Sequence, residues 1–415
     1  MRGTPFPLPG SEMPTSQGST VAPDENPIMS VPAETLVQPA APAQAPAEPA
    51  SDRRADLDAK QAQAAVLLRD AGCEGLLLLE PENFAWLTAG GTPRGVLDPG
   101  EAPVVYYSAE QRWVISSNVD SQRLFDEEID GLGFQLKEWP WHWGREQLLN
   151  DLGQGRKLAC DRPLPGAVHA AEQVRALRRV LTDYQQACLL ALGQLVAHAL
   201  EATCRTMTTG ESEREISAQI SHRLLHRGVQ PVHISVAADG RSRLYRQAGA
   251  TSTPIQKYAV LTATGRKYGL HATAGRAVCF GQAEPLFRQE HNTACKVSAT
   301  YLASSWPDAV PSEILLAGRR VYLICGSEHE WMLAPQGRVT GYAPVELRIT
   351  PSTGDLFQAG WAITWHASAG AASSCDTFVL SNEGPVLITP TETWPLKRIR
   401  VQGAEFVRPD LLIRQ

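Results

Sequence analysis

The apolar pattern of this chain changes period at Gly228, and no other feature constrains its fold as tightly. Before that point, AEQVRALRRVLTDYQQACLLALGQLVAHALEATCRTM places Leu177, Leu181, Cys188, Leu192, Leu195, Ala199 and Ala202 at helical intervals. TTGESEREISAQISHRLLHRG starts a second helix, with Ser212 as N-cap and Glu215 in the capping-box place. After Gly228 the texture is strand-like: VHISVAAD, YAVLTATG, AGRAVCFG, WAITWHAS and DTFVLS. One further helix is expected, around Phe287 to Ser305 or Glu313 to Cys325. Helices followed by a run of strands imply an α+β domain over residues 166–415.

Upstream, strand and helix alternate. DLDAKQAQAAVLLRDAGCEG has helical spacing and a Gly stop, LLLLEP is a short buried strand, and ENFAWLTAGG is a turn and helix. APVVYYS and RWVISS form a hairpin, DSQRLFDEEIDGL a helix, FQLKEW a strand, REQLLNDLG a helix and KLACDRP a strand. This alternation predicts an α/β domain over residues 52–165. Residues 1–51 are rich in Pro, Ala, Ser and Thr and bury too little apolar surface to offset ordering entropy; a disordered tail is expected.

The formal charge of −6 and the absence of any Lys/Arg cluster argue against nucleic-acid or membrane-surface binding. No apolar run reaches 18 residues and no signal peptide is visible, so no membrane association is expected. Eight scattered cysteines form no C-x-x-C pair, which excludes a zinc knuckle or dithiol motif and fits a reducing, cytoplasmic setting. G-x-S-x-G, Walker-type and dinucleotide-binding signatures are absent.

VLTATGRKYGLHATAGRAVCFG, residues 260–281, reads as a β-hairpin containing no carboxylate. With four other segments in order it resembles the creatinase, prolidase and Xaa-Pro aminopeptidase family over about residues 52–415. Those segments are LLLLEPENFAWLTAGG, GESEREI, TGYAPVELRITP and SCDTFVLSNEGPVLITPTETWP, the last with Asp376 and Thr377; in the hairpin Gly269, Arg276, Val278 and Gly281 match. The resemblance implies a pita-bread C-terminal domain behind an α/β N-terminal one, and a homodimer. It also implies two divalent cations held by two Asp, one His and two Glu. Thr262 and Thr273 stand at the Asp places, Tyr342 at the His place, and His366 and Cys375 at the Glu places. A substrate-binding His falls near Tyr245.

Hydroxyls bring no charge to two bare divalent ions, and unpaired ionic charge in a protein interior costs several kcal/mol or more per ion. The reading is therefore a non-catalytic relative without a dinuclear centre, binding a peptide, small molecule or protein in the pocket or on the dimer surface. Alternatives are a metal-independent creatinase-like amidohydrolase and an Xaa-Pro peptidase with an atypical metal site. His271, His366 and Cys375 are candidates for a single zinc, or for a thiol and base, set against polar filling of a vacated cavity. Arg241, Arg243 and Arg246 are placed at the pocket mouth, where they receive an acidic group or form an ordinary charged loop. Trp139, Trp141, Trp143 and His142 read as aromatics capping a core, a ligand platform or a dimer contact. His329 and Glu330 lack a second His for a zincin helix, and Glu328 and Glu330 are expected in solvent.

Overall fold

A computed structural model describes residues 50–93, 99–391 and 393–415, so nearly all of the expected tail lies outside the described residues. The first part holds α1 (Ala50–Ala71), β1 (Gly75–Leu78), α2 (Pro81–Leu87), β2 (Val104–Tyr107) and β3 (Arg112–Ser117). There follow α3 (Ser121–Arg123), β4 (Gln135–Trp139), α4 (Glu146–Gly153), β5 (Leu158–Cys160) and β6 (Val168–His169). The strands form a mixed sheet in the order β4-β3-β2-β1-β5-β6. Side-chain alternation explains the leucine run of β1: Leu76 and Leu78 join one core, Leu77 and Leu79 another on the opposite face. The helix expected over DSQRLFDEEIDGL is shorter than its pattern: α3 passes into a π-turn over Leu124–Glu128.

The long helical pattern is two helices, α5 (Ala171–Arg179) and α6 (Asp183–Thr206). Thr182 makes the break, since its hydroxyl accepts from the Gln185 backbone N–H while the Gln185 side chain accepts from the Thr182 N–H. α6 is long and apolar enough to cross a membrane, yet two-thirds of that stretch is buried in this structure. Gly193 allows the approach, because a Cβ there would lie 2.0 Å from the Ile388 carbonyl oxygen. α7 (Glu213–His226) begins at the expected Ser212–Glu215 box.

The strands follow: β7 (Gln230–Ala238), β8 (Tyr258–Lys267) and β9 (Leu270–Phe280). Both helices weighed as alternatives exist, α8 (Pro285–Ala303) and α9 (Pro311–Ile324). The second group is β10 (Gly337–Thr340), β11 (Leu347–Arg348), β12 (Ala362–Ala369), β13 (Ala372–Ser381) and β14 (Gly384–Leu387). The chain ends in β15 (Leu396–Val401), β16 (Ala404–Pro409) and β17 (Leu412–Arg414). Two sheets result, ordered β17-β9-β8-β7 and β11-β10-β12-β13-β14, beside a β15-β16 ribbon. They meet where β9 packs on β13: a Cβ on Gly275 would stand 3.0 Å from that of Cys375. Below this seam lies a buried ion cluster. Arg276 bonds Glu201 at 3.0 Å and Asp376 at 2.9 Å, and Arg408 bonds the other oxygen of Asp376.

Candidate functional site

The two sheets enclose a cavity of about 80 Å³, lined from β7 by His233 and Ser235 and from β8 by Thr262 and Thr264. Thr273 of β9, Arg338 of β10 and His366 and Ser368 of β12 complete its polar wall, with Tyr245 and Arg246 among the lining loop residues. Period-two alternation puts Val260, Thr262 and Thr264 on one face of β8, and the hairpin register sets Thr264 opposite Thr273. Their hydroxyls are 2.9 Å apart. Thr377 of β13 bridges the sheets: its hydroxyl donates to the Thr273 carbonyl and accepts from the Thr273 N–H, both at 2.9 Å. Thr364 of β12 lies 3.0 Å beyond it.

Arg338 stands opposite Thr364 in the β10–β12 register and reaches across the seam to the hairpin. Its Nη2 donates to Thr273 Oγ1 at 2.9 Å and its Nε to the Pro344 carbonyl at 3.0 Å. No carboxylate lines the cavity, and none among the described residues lies within ion-pairing distance of this guanidinium. Burial pulls its pKa below the ordinary arginine value. The same burial, followed by repulsion from Arg338 and His233, takes His366 down to about 4. His233 is lowered by burial and then by Arg338.

Sequence reasoning identified Thr262, Thr273, His366, Tyr245 and Arg246 as pocket positions, and all five line the cavity. Tyr342, Cys375, His271 and Arg243 are not in its lining. Tyr342 is turned toward α1 and α6, its hydroxyl accepting from Gln185 at 3.1 Å and its ring lying 5.5 Å from the Lys60 ammonium. Cys375 faces His366 across the β12–β13 register but packs against Gly275, and burial pushes its thiol up to about 12. A thiol so placed stays protonated at neutral pH, which removes the nucleophile form. His271 is tied through Nδ1 to the Gly341 carbonyl at 3.0 Å and is brought by burial to about 4. Among the described residues no group of three His, Cys, Asp or Glu side chains is placed to hold an ion, so His271, His366 and Cys375 do not converge as a zinc set.

The arginines at the mouth are committed elsewhere. Arg243 forks onto Glu290, Arg246 pairs with Glu330 at 2.8 Å, and Arg241 pairs with Glu213. Glu330, expected in solvent, is buried because the turn after α9 directs it inward to Arg246. Glu346, the carboxylate of the loop carrying Tyr342, is spent on buried Arg178 at 2.5 Å. Arg338 was missed. Its only signal is a basic residue in Gly-Arg-Val-Thr just before the Gly-Tyr step. Trp139 caps a core as expected, whereas Trp141 and Trp143 face solvent with the His142 ring between them.

Two divalent ions do not fit this donor set. Neutral hydroxyls and imidazoles supply none of the anionic oxygen that such ions need, and the fixed guanidinium adds repulsion. No family model matches the chain, and no curated protein matches it in sequence. Solved structures do match in shape. The dipeptidase PepE from Mycobacterium ulcerans superposes with a TM-score of 0.69 at 15% identity, over 87% of this chain and 98% of that one. An Xaa-Pro dipeptidase from Bacillus anthracis gives 0.67 at 17% identity, over 87% and 99%. The N-terminal domain of the FACT complex subunit SPT16 from Cicer arietinum (chickpea) gives 0.59 at 11% identity, over 82% and 96%. At these identities the likeness is one of fold: an N-terminal α/β domain followed by the pita-bread domain of prolidases and Xaa-Pro dipeptidases.

Proposed function

We propose that this pita-bread chain is a non-catalytic relative of the Xaa-Pro peptidases, and that the cavity between its sheets holds a ligand instead of hydrolysing one. The carrying observation is the guanidinium of Arg338 bonded to Thr273, at the wall where the resemblance puts a metal-ligating Asp. A fixed cation there opposes a metal pair, and the lining offers no carboxylate to activate water in its place. Support for a binding role also comes from the matched shapes, which include a subunit of the FACT complex as well as dipeptidases.

Xaa-Pro dipeptides and creatine, each with manganese, cobalt or zinc and each again with chelator, test this reading. The expected outcome is no turnover in any arm and no stoichiometric ion retained in native mass spectrometry. Chelator-sensitive turnover would restore the peptidase reading, and chelator-resistant turnover the metal-independent amidohydrolase.

A further inference from the structure

We infer that the cavity is a receptor for an anionic oxygen group, a carboxylate or a phosphate, anchored by Arg338; this names the ligand class and rests on the binding reading above. The charge in this cavity is unbalanced. Buried arginines elsewhere in this domain have carboxylate partners: Arg276 with Glu201 and Asp376, Arg408 with Asp376, and Arg178 with Glu346. Arg338, which is partly buried, has no such partner among the described residues; Arg266 shares that lack but has Glu82 and Glu128 nearby, whereas the groups closest around Arg338 are hydroxyls, imidazoles and the Cys375 thiol.

Donor geometry points the same way. A guanidinium carries five N–H donors in a planar fork. Nε serves Pro344 and one hydrogen of Nη2 serves Thr273; the other N–H groups find no acceptor among the described residues. A carboxylate or phosphate oxygen pair matches that fork bidentately. The Thr262 hydroxyl and the His366 ring, which make no side-chain hydrogen bond within the described protein, line the same space and complete a donor-rich wall. A volume of about 80 Å³ is several times the roughly 10–15 Å³ that one water needs and suits an anionic head group. The body of a larger ligand would leave past Tyr245, which is 55% exposed.

Isothermal titration of the full chain with inorganic phosphate, with acetate, and with tetramethylammonium chloride as a control separates the sources. Saturable 1:1 binding of phosphate or of acetate is expected, and the tighter of the two identifies the head group. Arg338→Gln should weaken that binding at least tenfold, while Arg398→Gln on the surface ribbon should leave it unchanged. Thr273→Asp keeps Arg338 in place but hands its guanidinium an internal carboxylate, and should abolish anion binding in a protein that remains folded by circular dichroism. No saturable binding of either anion by the wild-type chain would overturn the inference, as would full affinity in Thr273→Asp. Neither result touches the peptidase assays, so the anion inference and the non-catalytic reading fail separately.

Discussion

Arg276 and Arg338 sit on opposite sides of one seam and make opposite predictions. Arg276 is fully buried between Glu201 and Asp376, so removing its charge leaves Asp376 with Arg408 alone and Glu201 with only the more exposed Arg205, 3.3 Å away. Arg276→Met should destabilise by about 3–5 kcal/mol, the usual loss when one partner of a buried pair is deleted. Arg338 leaves no carboxylate behind, only one threonine hydroxyl and one carbonyl. Arg338→Met should therefore change stability by less than about 1 kcal/mol, because relief of desolvation offsets the lost hydrogen bonds. Chemical denaturation of both variants checks the contrast; equal losses would mean that the guanidinium has a counter-charge.

At the level of elements, most of the architecture could be read from periodicity, because the hairpin, the β2–β3 pair and the Ser212 cap each carry local patterns. The break between α5 and α6 could not be read that way. Leu181 and Cys188 continue a helical stripe straight through it, with neither Gly nor Pro to interrupt, and only Thr-Asp-Tyr-Gln records the cap. Thr182 also donates to buried Asp56 at 2.6 Å, and Asp56 pairs with Lys60, so this cap ties α6 to the first helix. Thr182→Ala should cost about 1–2 kcal/mol, at the upper end for a lost N-cap, measured as a shift in the denaturation midpoint. Ser212→Ala loses only a solvent-facing cap and should cost less. Arg338 escaped notice for a related reason: β10 has four residues, and nothing in Gly-Arg-Val-Thr reveals which face its arginine takes until β12 pairs with it. The positions that the resemblance assigns to metal ligands were legible only through that resemblance, and which of them reach the cavity depends on strand register and on Tyr342 docking onto α1 and α6.

For the molecule as a whole, stability should fall on both sides of neutrality. His271 and His366 have folded values near 4 against an ordinary 6.5. Between those values the unfolded chain binds protons that the folded chain refuses, so the stability present above pH 6.5 is lost as pH drops toward 4. For His271, flanked by Arg266, Arg338 and Arg178, the loss is on the order of 3.5 kcal/mol at most, at about 1.4 kcal/mol per unit. His291 behaves oppositely. Set beside Cys295 and Asp410 it is raised to about 9, so its contribution is full below pH 6.5 and is lost as pH rises through 9. Thermal denaturation from pH 4 to 10 should trace a maximum near neutrality, with His271→Asn flattening the acid limb and His291→Asn the alkaline one.

β13 separates two jobs by a single step along the chain. Asp376 points down into the Glu201–Arg276–Arg408 cluster, while its neighbour Cys375 points to the opposite face, toward the seam and the cavity's side. The keel that joins helix, hairpin and ribbon thus lies beneath the strand, and the reactive surface of a peptidase would lie above it. Chemistry on the upper side is free to be exchanged, carboxylate for hydroxyl or imidazole, without loosening the frame below. A scaffold divided in this way keeps its shape whatever groups line its upper side.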